Sequence, residues 1–542
     1  MPRPTTRAAV GLVPEVVSVV PKVVLVVLGA ALLLGACAVG PSQRPPVATR
    51  VDDTMTPVPA PETSLPGPAP SLLPPLLPAP AAPAGFTDCT SEIRSSMGAA
   101  ALGGRDLRFG CQSVPVGGGR GGGSSRAEVG VLQVTVGPVP PGGPIPDAVV
   151  GDAGGPTGSE RAVRLAATAP APMLAGTAFY GMDLRGTGNS EPVDCITPST
   201  REALVDADPL AADPVSLAPL RQAATTAART CTQVLENALT DYRTGVDAED
   251  LEEVRITLGV DRLHVVGVGD GAGVLATWAR RYPASVGRTV LDGVADPTTT
   301  FSQRARERAA AAREALTAFA SDCSARPDCP LGPDPASVVT GILTNVRAAP
   351  LTGADGRRVT DGTVTRALVT GLAEPARWPG LATAIAAAGQ GDPAGILGLL
   401  APLEVDGGGF DAGVLLTCND TVERPTPDQV AGDAERARAA DPLFGAYFAH
   451  DALLCGSWPV PTEAPEVGPA AGPPSLVVGT RGDPVTPLAG SERVTTQLGS
   501  ATLVTWLGAG HGAYPATPCI SDAVGGYLRD GVLPQAGTVC PP

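Results

Sequence analysis

Short apolar segments alternate with longer amphipathic segments through most of the chain beyond residue 86. Apolar runs bounded by turn residues are typical of strands, and strands that alternate with helical stretches favour a largely parallel sheet covered by helices. Six runs predict strands, at residues 129–136, 178–182, 263–268, 288–291, 476–478 and 502–506. The pattern therefore predicts an α/β protein with a mostly parallel, doubly wound sheet.

The pattern changes between residues 297 and 470, where alanine-rich helical periodicity replaces the strand-like runs. Within this block, residues 302–321 predict a long helix. Because strand-like runs resume only at Leu476, the simplest organisation is a core interrupted by an inserted helical lid domain. We therefore divide the folded part into a first core segment at 86–296, a lid at 297–470 and a second core segment at 471–542.

The N-terminal region predicts export rather than a folded domain. Basic residues precede an apolar run at 23–34 that is too short to span a bilayer comfortably, so residues 1–37 predict a signal peptide. The run ends in L-G-A-C, which resembles a bacterial lipobox and implies that Cys37 is lipidated and tethers the protein to the cell membrane. An uncleaved anchor or a simple secretory signal is the alternative, and either also places the body outside the cytoplasm. The proline-rich residues 38–85 predict a disordered linker.

Charge and composition restrict the classes of partner. Acidic residues outnumber basic ones by 54 to 38, which gives a formal net charge of -16. Because phosphate binding needs clustered lysine and arginine, this charge disfavours nucleic acid as a partner. The chain has only three histidines and no C-x-x-C spacing, so we expect no metal site and no cofactor.

The cysteine count agrees with export. Of eleven cysteines, setting aside Cys37 leaves ten, an even number in a compartment that allows disulfides. Sequence alone does not fix connectivity, but pairing in chain order closes modest loops. That hypothesis gives the pairs Cys89 with Cys111, Cys195 with Cys231, Cys323 with Cys329, Cys418 with Cys455, and Cys519 with Cys540.

The segment at residues 263–283, LHVVGVGDGAGVLATWARRYP, carries the strongest chemical signal. A strand runs into a glycine-rich turn and then into a helix, which resembles the G-x-S-x-G nucleophile elbow of α/β-hydrolases. Gly267 and Gly271 fill the two small flanking positions, so Gly269 stands where the catalytic serine is expected. The same glycines resemble a dinucleotide fingerprint only weakly, and an exported protein is not expected to use NAD.

The surrounding segments resemble the tripeptidyl-aminopeptidase-like (TAP-like) branch of the serine aminopeptidase family, known from actinobacterial exported lipoproteins. The resemblance is carried by D-x-R-G-x-G-x-S at 183–190, A-R-R-Y-P at 279–283 and V-L-D-G-V at 290–294. It extends over roughly residues 86–542. It implies an α/β-hydrolase fold with a lid, and a peptide or a small ester- or amide-like ligand in the pocket between core and lid.

The resemblance also implies the other two members of a catalytic triad, in the chain order nucleophile, acid, histidine. The segment G-D-P-V-T-P at 482–487 resembles the acid loop, so Asp483 is expected to orient the histidine. The segment G-A-G-H-G at 508–512 resembles the histidine loop, so His511 is the expected base. His264 and His450 are interpreted as structural.

The family has an N-P-G-G-P-G-G-S-G run whose backbone N–H groups serve the developing oxyanion. We assign this loop to Gly142 and Gly143, together with Asp270, and the prolines around the two glycines remove possible donors. With Gly269 in the nucleophile position, this predicts a catalytically impaired, ligand-binding homologue. The alternative is an active peptidase or esterase in which His511 and Asp483 work with Asp270, another nucleophile or an activated water.

Overall fold

The computed structural model describes residues 85–117, 126–137, 144–404, 409–459, 464–466 and 468–542. The predicted signal peptide with its lipobox cysteine, Cys37, and the predicted linker up to residue 84 lie outside these ranges. In the described part of the chain, no helix is both long and apolar enough to cross a membrane.

A ten-stranded sheet forms the centre of the fold. Its strands are β1 (Thr87–Asp88), β2 (Leu107–Val116), β3 (Ala127–Val136), β4 (Ile145–Val150), β5 (Thr177–Met182), β6 (Leu263–Val268), β7 (Val286–Asp292), β10 (Ser475–Gly482), β11 (Ala501–Ala509) and β12 (Thr538–Cys540). They lie in the order β1-β2-β3-β5-β4-β6-β7-β10-β11-β12. The strands from β5 to β12 in this order pair in parallel, and the three before them are antiparallel. The mostly parallel α/β sheet is therefore as predicted.

Helices of the core cover both faces of this sheet. They are α1 (Thr90–Ala101), α2 (Gly158–Thr168), α3 (Ala171–Leu174), α4 (Pro198–Val205), α5 (Ala218–Leu235), α6 (Thr244–Thr257), α7 (Asp270–Arg281), α17 (Leu488–Leu498) and α18 (Pro518–Gly525). Every residue of β6 and β7 is buried. Burial on both faces explains the largely apolar sequence of β6, LHVVGV, whereas β7 also buries Arg288, Thr289 and Asp292.

Between β7 and β10 the chain is helical apart from a small hairpin of β8 (Leu351–Thr352) and β9 (Arg358–Val359). The helices of this insertion, which we call the lid, are α8 (Phe301–Ala325), α9 (Pro335–Ala348), α10 (Asp361–Leu372), α11 (Trp378–Gly389), α12 (Ala394–Glu404), α13 (Gly409–Asn419), α14 (Pro427–Ala440), α15 (Gly445–Ala449) and α16 (Asp451–Gly456). The helix predicted at 302–321 is α8.

The five disulfides predicted from pairing in chain order are all present. The pair Cys195–Cys231 joins the loop before α4 to α5, and the pair Cys418–Cys455 joins α13 to α16. Since each disulfide closes a loop within either the core or the lid, each restricts the unfolded state of that part of the chain.

Asp147 places an unpaired carboxyl group inside a central strand. It is buried in β4, and its side chain forms no hydrogen bond or ion pair with any residue in the described ranges. Burial raises the pKa of Asp147 to about 7, an effect that the charge of Arg288 only partly offsets. An unfolded aspartate loses its proton near pH 4. The native state therefore binds the extra proton between about pH 4 and pH 7, and the protein loses stability as the pH rises through this window.

We expect Asp147→Asn to raise the free energy of unfolding by about 2 kcal/mol at pH 8, because the amide has no charge to bury. At pH 4, where the native carboxyl group is already neutral, the substitution should change little. Urea unfolding at both pH values measures the difference. An equal effect at pH 4 and pH 8 would show that the buried charge is not the cause.

Candidate active site

The turn between β6 and α7 has the shape of a nucleophile elbow. Gly269, its central residue, has φ 59° and ψ -118°, in the left-handed region that side chains rarely adopt. A Cβ placed on Gly271 would lie 2.3 Å from the carbonyl oxygen of Val150, so this flanking position has room only for glycine. The strained strand-turn-helix geometry is the one that presents a serine in α/β-hydrolases. Here the residue presented has no side chain.

The space above Gly269 is filled by Asp152, which lies in the loop that follows β4. A Cβ built on Gly269 would lie 1.8 Å from Asp152 Oδ1 and 2.7 Å from His511 Nε2. The backbone N–H of Asp270 donates to the same Oδ1 over 3.2 Å. In α/β-hydrolases the residue after the nucleophile supplies an oxyanion donor. The Asp152 carboxylate thus fills the space of the nucleophile side chain. It also accepts the hydrogen bond that one backbone N–H would otherwise donate to the oxyanion.

Strand register places this loop, and not the predicted one, at the site. Gly142 and Gly143 lie outside the described residues, and β4 begins at Ile145, directly after that stretch. Val150, at the other end of β4, pairs with Gly267 of β6, five residues and about 16 Å along the strand from Ile145. The loop that reaches the elbow is therefore the one after Val150, which corrects the assignment of the oxyanion loop to the stretch before β4.

His511 and Asp483 come together as predicted, although they lie 28 residues apart in the chain. Asp483 directly follows β10, and His511 lies in the loop after β11. The two Asp483 oxygens are 3.1 and 2.9 Å from His511 Nδ1. The Thr486 hydroxyl, 3.1 Å from Nδ1, donates to Asp483 Oδ2 over 2.9 Å. It lies on the acid side of the ring, away from the nitrogen that would face a nucleophile.

The other ring nitrogen of His511 faces a second carboxylate. Nε2 lies 3.2 Å from each oxygen of Asp152. Burial alone would favour the neutral ring, but the charges of Asp483 and Asp152 outweigh it and raise the pKa of His511 to about 10. The ring is therefore an imidazolium near neutral pH, with one N–H directed at each carboxylate. In this state it has no free nitrogen lone pair with which to accept a proton.

Arg161 of α2 holds Asp152 in place. Its Nη2 lies 2.6 Å from Asp152 Oδ2, and both side chains are buried. This helix begins directly after Thr157, which caps it in a reciprocal capping box with Glu160. Burial would raise the pKa of Asp152, but the charges of His511 and Arg161 dominate and lower it below its ordinary value. Asp152 is therefore an ionised carboxylate between two cations.

Asp270, predicted as a possible nucleophile, lies at the start of α7 but does not contact His511 through any hydrogen bond in the described ranges. Its Oδ2 accepts from the backbone N–H of Ala153 over 3.1 Å. Burial, followed by the charge of Asp152, raises the pKa of Asp270 to about 6. The backbone N–H groups of Ala153 and Asp270 are thus each bonded to a carboxylate.

Asp152 and Arg161 were not predicted from the sequence. A usable signal exists in D-A-G-G-P-T-G-S at residues 152–159, which matches the family's N-P-G-G-P-G-G-S-G run at G-G-P and at G-S. When the two segments are aligned at these matches, Asp152 stands where the family's run has its first residue, asparagine.

The two remaining histidines make contacts elsewhere. His264 Nδ1 accepts from the N–H of Arg288 in the neighbouring strand, and His450 Nε2 lies 2.8 Å from the carbonyl oxygen of Ala211. Across the described ranges, no group of three or more His, Cys, Asp or Glu residues is arranged to hold a metal ion.

A cavity of about 130 Å³ lies beside the elbow. The core contributes Gly269, Asp270 and other residues of α7 to its wall, and the lid contributes Arg304 of α8 together with Leu416, Thr417, Asp420 and Thr421. A pocket thus lies between core and lid, next to the residue in the nucleophile position.

Comparison with known proteins agrees with this geometry. A family model of the α/β-hydrolase fold matches residues 154–361, and a model described as TAP-like protein matches residues 441–540. Carboxylesterase B of Mycobacterium tuberculosis is 29% identical over 483 residues, which cover 84% of this chain and 88% of that protein. Serine protease Hip1 of the same species is 27% identical, and the match covers 54% of this chain and 60% of Hip1. Tripeptidyl aminopeptidase of Streptomyces coelicolor is 30% identical over 28% of this chain and 29% of its own length.

Fold, elbow and histidine loop define an α/β-hydrolase, and both family models fall on the segments that build them. The chain belongs to the α/β-hydrolase family, in its TAP-like branch. Its relatives include a serine protease, a carboxylesterase and a tripeptidyl aminopeptidase.

The charge state of His511 can be measured directly. We expect its imidazole to stay protonated up to about pH 9 in the wild-type protein, since two carboxylates raise its pKa to about 10. Asp152→Asn removes one of these charges and should bring the pKa of His511 closer to the ordinary value. NMR titration of the imidazole Cε1–H signals measures both, because the chain has only three histidines. Titration of wild-type His511 near pH 6.5 would show that Asp152 and Asp483 do not hold its imidazole in the protonated state.

Proposed function

We propose that this protein is an exported lipoprotein that binds a peptide, or a small ester- or amide-like ligand, in the cavity between core and lid and does not turn it over efficiently. The observation that carries the proposal is the position of Asp152. Its carboxylate fills the space of the missing serine side chain and pairs with His511 Nε2 at 3.2 Å.

Each requirement of acyl transfer is affected by this arrangement. Gly269 offers no oxygen for attack, and loss of the nucleophile in a serine protease lowers turnover by about six orders of magnitude. His511 is protonated and cannot act as a base. The N–H groups of Asp270 and Ala153 are bonded to carboxylates, so they are not free for an oxyanion, and one such donor contributes about 100- to 1,000-fold.

A second candidate is hydrolysis with Asp152 as a carboxylate nucleophile. Its position supports this, because Oδ1 lies beside Gly269 and within 3.2 Å of the histidine. The ion pair with Arg161 and the bond from the Asp270 N–H favour the first proposal, since both stabilise the carboxylate and reduce its nucleophilicity. Single-turnover reaction in ¹⁸O-water distinguishes the two. Attack of this carboxylate on the acyl carbon would expel the alcohol or amine and leave a mixed anhydride, and label in the Asp152 peptide after hydrolysis would establish this intermediate on that residue.

The proposal is tested by comparing wild type with His511→Ala. Hydrolysis of p-nitrophenyl acetate and of Ala-Ala-Ala-p-nitroanilide by the purified full-length chain in detergent should not differ between them. A wild-type rate that is at least ten times that of the variant would show that the site is catalytic.

Membrane attachment belongs to the same proposal and rests on the L-G-A-C run that ends at Cys37. In a bacterial host that processes lipoproteins, the wild-type chain should incorporate radiolabelled palmitate and sediment with membranes. Cys37→Ala should do neither. Membrane attachment of this variant without label would indicate an uncleaved anchor instead.

A further inference from the structure

The cavity beside Gly269 contains charged groups of both signs that are not paired with one another. Arg304 faces it from α8 of the lid, Asp270 from the start of α7, and Asp420 from the residue after α13. Among the described residues, none of the three forms an ion pair within 4.0 Å. The three other charged residues that line the cavity are already paired, because Glu466 pairs with Arg280 and Asp296 pairs with Arg493.

Arg304 is half-buried and has no ion-pair partner among the residues that the structure describes. Its Nη2 donates to the carbonyl oxygen of Thr299 over 3.3 Å, and its guanidinium lies 5.0 Å from the ring centroid of Phe301. Its Nε and Nη1 form no hydrogen bond within the described part of the chain. Burial, and then the charge of Arg308, lowers the pKa of Arg304. A desolvated guanidinium that faces a cavity is stabilised by an anion placed there, and a carboxylate matches its planar set of donors.

The two carboxyl groups require the opposite charge. Among the described residues, Asp270 Oδ2 accepts only the Ala153 N–H, and Asp420 accepts only from the backbone and hydroxyl of Thr244, the latter over 2.6 Å. Burial raises the pKa of Asp270 to about 6 and that of Asp420 to about 7. A cation in the cavity would stabilise both carboxylates.

We infer that the cavity binds a small zwitterion, from a free amino acid to a dipeptide, with the ligand carboxylate on Arg304 and the ligand ammonium at Asp270 and Asp420. The inference rests on the proposed function and specifies its ligand class. The volume of about 130 Å³ matches the lower end of this range, since alanine has as many non-hydrogen atoms as benzene and an engineered cavity of about 150 Å³ holds benzene. A simple cation would leave Arg304 without a counter-ion, and a simple anion would face two carboxyl groups.

Isothermal titration calorimetry on the full-length chain in detergent tests this inference. The probes are L-alanine, L-alanyl-L-alanine, its N-acetyl derivative and its C-terminal amide. At least one of the two zwitterions should bind, and each blocked dipeptide should bind at least tenfold more weakly than that zwitterion.

Variants assign each end of the ligand. Arg304→Gln should weaken binding of the zwitterion at least tenfold while leaving the amide unchanged. Asp420→Asn should also weaken binding of the zwitterion at least tenfold, while leaving binding of the N-acetyl derivative unchanged. Arg313→Gln is the matched control on α8, since Arg313 pairs with Asp441 and does not line the cavity. Thermal melting by circular dichroism checks folding, and Asp420→Asn carries the test if Arg304→Gln does not fold.

The inference fails if neither zwitterion binds, or if a blocked dipeptide binds as tightly as the zwitterion. Its failure is distinct from that of the proposed function. Efficient turnover together with the expected binding preferences would contradict only the proposal of a non-catalytic protein. Absence of zwitterion binding without turnover would contradict only the ligand class.

Discussion

Gly269→Ser alone is expected to leave the protein without measurable esterase activity. Gly269→Ser combined with Asp152→Ala should raise kcat/KM for p-nitrophenyl butyrate about 1,000-fold above wild type. The new Cβ in the single variant would lie 1.8 Å from Asp152 Oδ1, so the serine would clash with that carboxylate. Removing the carboxylate opens the space and also removes a charge that keeps His511 protonated.

Two controls separate the cause from folding. Asp152→Ala alone should stay inactive, because it opens the space without supplying a nucleophile. It leaves Arg161 buried and unpaired, which costs about 3–5 kcal/mol. The further substitution Arg161→Met removes this charge if the variant is unstable. If Gly269→Ser alone were as active as the double variant, the carboxylate would not block the site.

Adding Asp270→Ala to the Gly269→Ser, Asp152→Ala variant should raise kcat about 100-fold further, with little change in KM. The substitution removes the carboxylate that accepts from the Ala153 N–H and so returns this donor to a developing oxyanion. One oxyanion donor contributes about 100- to 1,000-fold to kcat and little to substrate binding.

Asp270→Asn is the matched control for this prediction, because its amide oxygen still accepts from Ala153. It should give much less than the gain of the alanine variant. Steady-state kinetics on p-nitrophenyl butyrate measure both. Equal gains from alanine and asparagine would mean that the charge of Asp270, and not its hydrogen bond, is what limits the reaction.

Local signals in the sequence were sufficient for much of the fold and half of the site. The run at 263–268 is β6, and the glycines that follow it form the elbow, because close backbone contacts demand glycine there. Asp483 and His511 were predictable since each follows a recognisable strand in a recognisable loop. Cysteine pairing in chain order was also correct.

Sequence analysis did not predict β1, β2, β4 or β12 of the main sheet, and the wrong position of the oxyanion loop follows from the absence of β4. Its sequence, I-P-D-A-V-V, contains Pro146 and Asp147, which interrupt an apolar run. Pro146 is tolerated at the second residue of the strand, and Asp147 is accommodated with a raised pKa. Without this strand, the oxyanion loop was assigned to the stretch before residue 145 instead of after residue 150.

The G-G-P and G-S matches place Asp152 in the oxyanion loop, but its contacts could not be read from the local sequence. Its contact with His511 joins residues 359 positions apart, and its contact with the Asp270 N–H joins residues 118 positions apart. A carboxylate in a glycine-rich loop is ordinarily a turn residue. Only the alignment of β4 beside β6 shows that this carboxylate occupies the space left empty at Gly269.

Intact-mass spectrometry after exposure to excess fluorophosphonate shows whether the site holds a working nucleophile, because the reagent labels an activated nucleophile irrespective of substrate. The wild-type chain should remain unmodified, while the Gly269→Ser, Asp152→Ala variant gains the mass of one adduct. A stoichiometric adduct on the wild-type chain that disappears in His511→Ala would contradict the account, since it would reveal a working nucleophile beside the histidine.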